Sequence, residues 1–277
     1  DGDGDVDAYV ANYNEDDRVW LNDGDGIFTD SGQSLYNYQS TDVDFADFDL
    51  DGDLDIYACG YNPSADRVRS GALGEPLPYH DAQNGGANML LSNDGGWEFN
   101  EVTENVGLNH NNNRFSFAAT WEDYDDDGDP DLYVANDYGR NNLYENTSGR
   151  FVDVAAELGI EDMASGMSAS WGDYNRDGRL DIYISNMFSA AGNRITFQRQ
   201  FKPGAPQAML AQYQRHARGN TLFQANQEER GFRDVSVEQG VTMGRWAWGS
   251  RFVDLNNDGW EDLVVANGFI STEDTGD

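Results

Sequence analysis

The sequence predicts an all-β fold, a β-propeller of four-stranded antiparallel blades, and three observations carry that prediction. An acidic, glycine-bearing loop recurs along the chain. A strand-like run rich in β-branched and aromatic residues follows each full copy, and the copies return at a spacing that suits a propeller blade.

The clearest loop is Asp123-Tyr-Asp-Asp-Asp-Gly-Asp-Pro-Asp131, running straight into Leu132-Tyr-Val-Ala-Asn136. Carboxylates stand at Asp123, Asp125, Asp127 and Asp131, and Gly128 sits where the chain must turn sharply to aim them at one point. Calcium takes six to eight oxygens at roughly 2.3 to 2.6 Å, and a short loop supplies them only if its acids alternate and a glycine relieves the backbone. The pattern is therefore a cage for a hard cation. In the same frame the chain reads Asp47, Asp49, Asp51, Gly52 and Asp55, then Asp173, Asn175, Asp177, Gly178 and Asp181, then Asp254, Asn256, Asp258, Gly259 and Asp262. Position seven is Asp53, Asp129, Arg179 and Trp260 in turn, which fits a ligand offered through the backbone carbonyl. A fifth copy, cut by the start of the chain, keeps Asp1, Asp3, Gly4 and Asp7. The expected cofactor is calcium, about four to five ions.

These loops are not helix-loop-helix sites, which need a glutamate at position twelve; here that position is Ala58, Val134, Ile184 and Val265. The runs Ile56-Tyr-Ala-Cys, Leu132-Tyr-Val-Ala, Ile182-Tyr-Ile-Ser and Leu263-Val-Val-Ala place the loops on hairpins.

The fifth loop residue falls at Asp3, Asp51, Asp127, Asp177 and Asp258, giving spacings of 48, 76, 50 and 81. The long intervals read as ordinary ones with insertions of roughly thirty residues, so the unit is about fifty. Within it, strand one precedes the loop, as in Phe115–Trp121, Met167–Trp171 and Trp246–Phe252, and strand two follows it. Strand three begins near an asparagine, Asn88, Asn142 or Asn220, with Val19-Trp-Leu as the first copy. Strand four starts at Phe99, Phe151 or Phe232, and Gly107, Gly159 and Gly240 open the passage to the next unit. Three full and two partial blades result, the first lacking strand one and the last stopping after strand two. The whole of 1–277 reads as one propeller or as part of a larger one.

The residues at 123 to 136, with Gly149-Arg-Phe-Val-Asp-Val154, resemble FG-GAP or VCBS repeats, the units of the calcium-binding propeller of integrin α chains and of many secreted bacterial proteins. The likeness is greatest to bacterial relatives of the cartilage acidic protein and UnbV type. It implies a ring of about seven blades, so either further blades lie outside these residues or another protomer fills the gap. Exposed strand edges invite pairing, and a homo-oligomer or filament through them is an expected partner state.

The balance of 51 acidic to 17 basic residues gives a formal charge of -34, which excludes nucleic acid as a ready partner. With 13% aromatic residues and an ordered repeat, disorder is excluded too. No apolar run is long enough to span a membrane, so no membrane insertion is expected. Cys59 is the only cysteine; it permits no internal disulfide and lies in a strand as a buried, inert thiol. The chain opens inside a motif without a signal peptide, which reads as a mature or truncated segment. Asn146-Thr-Ser148 is a glycosylation acceptor pattern in a predicted turn.

Both insertions, about 60–87 and 187–219, fall between strands two and three, on the face opposite the calcium loops. The second holds no acidic residue and carries Arg194, Arg199, Lys202, Arg215 and Arg218, and Gln207–His216 reads as a short helix with Met209, Leu210 and Tyr213 on one side. Two readings stand. Arg194, Arg199, Arg215, His216 and Arg218 form a basic patch for an acidic glycan or a protein, or the arginines clamp the insertion to the acidic body. Tyr79, Phe197 and Tyr213 either stack on sugars or pack the loops down.

Two function classes follow. The first is a non-enzymatic, secreted or cell-surface (or periplasmic) module, calcium-stabilised, for protein or polysaccharide binding, adhesion or surface assembly. The second is a propeller-based polysaccharide lyase or hydrolase using His80 and His216 with Arg218 or Tyr79. No nucleophile elbow, paired zinc ligands or phosphate loop is present.

Overall fold

The computed structural model describes residues 4–12, 16–35, 40–62, 75–79, 81–95, 99–226 and 229–268. It is mostly β, and every strand pairing is antiparallel. The first sheet is β1 (Ala8–Val10), β2 (Asp17–Asn22) and β3 (Phe28–Leu35). Three four-stranded sheets follow, each ordered as in the chain. They are β4 (Ser40–Ala46), β5 (Asp55–Gly60), β6 (Met89–Asn93) and β7 (Phe99–Glu101); then β8 (Phe115–Glu122), β9 (Asp131–Tyr138), β10 (Asn142–Asn146) and β11 (Phe151–Asp153); then β12 (Gly166–Gly172), β13 (Asp181–Asn186), β14 (Thr221–Ala225) and β15 (Phe232–Asp234). The last pair is β16 (Ala247–Val253) with β17 (Asp262–Asn267). Among the described residues the sheets stack like blades and close no barrel.

Side chains of a strand alternate between its two faces. In β9, Leu132 and Val134 meet Tyr57, Cys59 and Leu90 of the sheet before, while Tyr133 and Ala135 meet Ile182, Ile184 and Phe223 of the sheet after. In β13, Ile182 and Ile184 look back, and Tyr183 looks forward to Phe252. With both faces covered, β5 and β13 are buried throughout, which is why strand two reads as an unbroken apolar run rather than an alternating one. Cys59 is fully buried in this core, and burial pushes its thiol well above the ordinary range. Edge-on ring pairs repeat at the seams: Tyr57 on Trp121, Tyr133 on Trp171 and Tyr183 on Phe252, with centroids 6.1, 6.1 and 6.4 Å apart.

An asparagine pins the strand-two to strand-three connection of each four-stranded sheet. Asn141 Oδ1 accepts from the Asn136 N–H at 2.9 Å, and its Nδ2 donates to the Tyr133 hydroxyl at 3.2 Å. Asn220 does the same for Asn186 and Tyr183 at 2.8 and 2.7 Å. Asn88 holds Gly60 N–H at 2.9 Å, and in the first sheet Asp17 takes the place, accepting from Asn12 N–H at 2.7 Å and the Tyr9 hydroxyl at 2.8 Å. The recurring residue is thus Asn141, not the Asn142 that the strand pattern picks out; Asn142 instead donates to Asp153 at 2.8 Å.

In the second and third sheets strand four is followed by a turn the sequence pattern does not show. These are the single helical turns α1 (Thr103–Val106) and α2 (Ala155–Leu158), ended by left-handed Gly107 and Gly159. A Cβ at Gly107 would lie 2.5 Å from the Phe151 carbonyl, so close approach as well as φ demands glycine. The second insertion contains α3 (Ala190–Thr196), capped by Ser189, and α4 (Gln207–Ala217), which starts behind Pro206. Among the described residues no helix is long and apolar enough to cross a membrane.

The acceptor pattern at Asn146 is a structural turn. Asn146 is fully buried, its Nδ2 donates to the Phe48 and Pro130 carbonyls at 2.8 and 3.0 Å, and its Oδ1 accepts from Gly149 N–H at 2.8 Å. The nitrogen a glycan would need is inaccessible, so the folded chain is no acceptor there. Because Asn146 ties the third sheet to the second, Asn146→Ala should lower the unfolding free energy by about 2 to 4 kcal/mol in urea denaturation. A loss below about 1 kcal/mol would show that this seam does not depend on it.

Candidate metal centres

The acidic loops occupy the hairpin turns β4–β5, β8–β9, β12–β13 and β16–β17, and all four share one backbone frame. The first aspartate accepts two main-chain N–H groups. Asp123 binds those of Asp127 and Gly128 at 3.0 and 2.9 Å, Asp47 those of Asp51 and Gly52 at 3.0 and 3.0 Å. Asp173 binds those of Asp177 and Gly178 at 3.0 and 2.9 Å, and Asp254 those of Asp258 and Gly259 at 3.1 and 2.8 Å. The fifth residue accepts from the seventh N–H, as in Asp51 to Asp53, Asp127 to Asp129, Asp177 to Arg179 and Asp258 to Trp260. Position six is left-handed in every copy, at φ 100° for Gly52 and 95° for Gly128, yet a Cβ at either would meet nothing within 4 Å. Glycine is there for its conformation and not for space. Position four is left-handed as well, with the non-glycine residues Leu50, Asp126, Arg176 and Asn257 at φ near 60°, and no residue type in the sequence marks it.

Carboxylate oxygens of Asp123, Asp125 and Asp127 lie within 4.8 Å of one another, as do those of Asp47, Asp49 and Asp55. In the other two loops Asn175 and Asn256 accept the fifth-residue N–H at 2.9 and 2.8 Å, keeping the frame with one charge fewer.

The ninth residue is the first of strand two and anchors the loop. Asp131 Oδ1 accepts from Asn146 N–H at 2.7 Å and Oδ2 from Tyr124 N–H at 3.2 Å. Asp55 does so for Asn93 and Phe48 at 2.8 and 3.1 Å. Asp181 accepts from Ala225 at 2.9 Å, Asp7 from Asn22 at 2.9 Å and Asp262 from Leu255 at 3.2 Å. At Asp55, Asp131 and Asp181 burial raises the carboxyl, main-chain N–H groups oppose it, and the other loop carboxylates raise it further, to about 6 for Asp55 and about 7 for Asp131 and Asp181. Asp181 Oδ2 is buried without a hydrogen-bond partner. A crowded, oxygen-only, anionic donor set with an orphaned oxygen fits a hard divalent cation. Asp47, Asp49, Asp51 and Asp55, with their counterparts in the other loops, would hold calcium, which supplies the positive charge this cluster lacks.

The side chains at position seven turn elsewhere. Asp129 accepts from Ser148 N–H at 2.8 Å, Trp260 lies under the Arg176 guanidinium at 5.1 Å, and Arg179 lines a cleft with Glu122, Asp123 and Asp126. Position-two aromatics pin the loops to the next sheet: Phe48 meets Phe151 at 5.8 Å, Tyr124 stacks on Trp171 at 6.2 Å and Tyr174 on Phe252 at 6.4 Å. Asp1 and Asp3 lie outside the described residues.

On the second insertion the five basic-patch residues divide. Arg215 Nε donates to Asp162 at 3.0 Å and its Nη1 pairs with Asp234, which also takes Arg218 at 2.8 Å. His216 Nδ1 lies 3.0 Å from the Met163 carbonyl, and its ring stacks near Tyr138 and meets Tyr79 edge-on at 5.2 Å. These three hold α4 down, which is the clamp reading. Arg194 and Arg199 are exposed, as is Phe197, whereas Tyr213 packs with Phe201 at 5.4 Å and Lys202 at 4.8 Å. His80 lies outside the described residues, so the pair His80 and His216 has no geometry to report. Asp162 and Asp234 went unnoticed in the sequence; the recurring Phe-x-Asp-Val motif was the available signal for Asp234.

Asp162 is fully buried. Burial opposes its charge, but Arg215, a Thr221 hydroxyl, Ala164 N–H and Asn186 outweigh it and lower its pKa below 3.8. A carboxyl lowered by folding contributes stability that is present above its unfolded value and lost as pH falls below it. Asp162→Asn should therefore destabilise the chain by about 3 kcal/mol at neutral pH, with the gap to wild type narrowing as pH falls below 3.8. A gap that stays constant across that range in urea titrations would remove the ion pair as its cause.

Residues 1–58 and 123–184 match the family model of the FG-GAP-like repeat. No curated protein matches the chain significantly. The matched stretches contain the loops at 47–55, 123–131 and 173–181 and the incomplete first copy. The chain thus carries FG-GAP-like repeats in both stretches.

Proposed function

We propose that this chain is a calcium-stabilised propeller segment, three full and two partial blades, that works outside the cytosol as a binding, adhesion or surface-assembly module. One observation carries the reading: the same cation-ready backbone frame, closed by its capping aspartate, is built four times, and in three of the loops the ninth aspartate is buried. FG-GAP-like repeats point to an adhesion-type or binding module in general, and such repeats often bind calcium. Oxygen cages of extracellular modules have dissociation constants of roughly 0.1 to 1 mM, which suits a secreted, cell-surface or periplasmic setting.

The binding reading is favoured over lyase or hydrolase chemistry by what the basic groups do. Arg218 is spent on Asp234, Thr221 and Ser236, and His216 on Met163 and two tyrosine rings. Exposed Arg194, Phe197 and Arg199 remain as a surface for a protein or polysaccharide ligand. Among the described residues the outer edges of β1 and β17 pair with no further strand, and they offer main-chain groups for assembly with further blades or with another copy.

A cation bound only by the folded loops stabilises by mass action, about 1.4 kcal/mol per loop at ten times its dissociation constant. Four such loops correspond to a melting-temperature difference on the order of 10 °C between millimolar calcium and excess chelator. Scanning calorimetry in the two buffers tests this, and coincident melting curves would sink the calcium reading. Asp127→Ala should lower the calcium stoichiometry by one and loosen its own sheet most in hydrogen exchange.

A further inference from the structure

The loop at 123–131 has a neighbour that the loop at 47–55 lacks. Both of these loops lie beside the strand-three to strand-four turn of the following sheet. Beside 47–55 that turn presents Gly149, where a Cβ would sit 3.5 Å from the Asp49 Cβ. Beside 123–131 it presents Arg230, whose Nη2 donates to the Tyr124 hydroxyl at 3.0 Å, pairs with Glu145 and stands 3.9 Å from Asp125 Oδ2. Tyr124 in turn donates to Glu145 at 2.6 Å, so Arg230 is held at the rim by the sheet that owns the loop. Asp125 is half-enclosed, with 27% of its side chain exposed, against 51% for Arg230.

We propose that Arg230 is a tethered cation that competes with calcium for the 123–131 loop. The inference rests on the calcium reading above and adds an order of filling to it. By charge count alone 123–131, with Asp123, Asp125, Asp127, Asp129 and Asp131 and with Asp126 besides, should bind calcium tightest. With a guanidinium already paired to Asp125, the ligand at position three, calcium must displace that group or bear its repulsion. A unit charge a few ångströms from a divalent ion opposes its binding by about tenfold even when screened as in bulk water. The 47–55 loop therefore fills first, and 123–131 fills at higher calcium. Because Arg230 belongs to the fourth sheet and the loop to the third, filling also loosens one link across that seam.

The test is calorimetric titration of the full chain with calcium chloride at one ionic strength. Arg230→Gln should tighten one class of sites about tenfold without changing the stoichiometry, while Arg230→Lys, which keeps the charge, stays near wild type. Adding Asp125→Asn to Arg230→Gln should abolish the gain, assigning it to this loop. If Arg230→Gln fails to fold, Glu145→Gln serves instead: it leaves Asp125 as the remaining carboxylate partner of the guanidinium and should weaken the same class. Calcium binding that is unchanged by these variants overturns the Arg230 inference alone. An unsubstituted chain that binds no calcium overturns the calcium reading, and this inference with it.

Discussion

Each four-stranded sheet depends on a carboxylate buried at the first residue of strand two. Asp55, Asp131 and Asp181 are shielded almost wholly from solvent, and each accepts main-chain N–H groups from strand three or from its own loop. One side chain thereby sets the register of strands two and three and the exit of the loop. The cost is an anion out of water, which two neutral hydrogen bonds offset only in part. Two to five further acids crowd the same turn, so the geometry that orders the hairpin also creates a demand for positive charge. On a chain with a formal charge of -34, a cation bound in the turn would meet that demand.

That constraint was legible because it is written in residue types at fixed offsets and repeated. Strand two was legible for a related reason: covered on both faces, it needs apolar residues at consecutive positions, so Leu132-Tyr-Val-Ala stands out from the polar loop before it. What stayed hidden was either too short or too distant. The turns α1 and α2 have four residues each, fewer than any helical periodicity needs to show itself. The left-handed residue at position four is a leucine, an aspartate, an arginine and an asparagine in turn, so the loop imposes a conformation that no residue type advertises. Asn141 and Asn142 are adjacent and identical, and only the hydrogen bonds tell which one closes the connection.

Pairings between distant residues were illegible in principle. Arg215 finds Asp162 53 residues away, and Arg230 finds Tyr124 106 residues away, the second across the seam between the third and fourth sheets. From composition the basic insertion could equally be a ligand patch or a clamp, because charge content does not say where the charges point. The structure divides the set: Arg215 and Arg218 are drawn to carboxylates on the body, while Arg194 and Arg199 remain in solvent.

The two ends of strand two therefore do different work. At one end, aspartates close the hairpin and concentrate charge; at the other, asparagines close the next connection by giving and accepting neutral hydrogen bonds. An insertion entering at the asparagine end leaves the loop undisturbed, because Asn220 fastens Asn186 across 33 intervening residues as tightly as Asn141 fastens Asn136 across four. The cation end has no such freedom, since every loop atom is set by the ones around it. Variation is accordingly confined to one end of the blade, where the exposed residues of the second insertion lie, and the repeated frame to the other. The end whose closure is neutral is thus the one that tolerates added length.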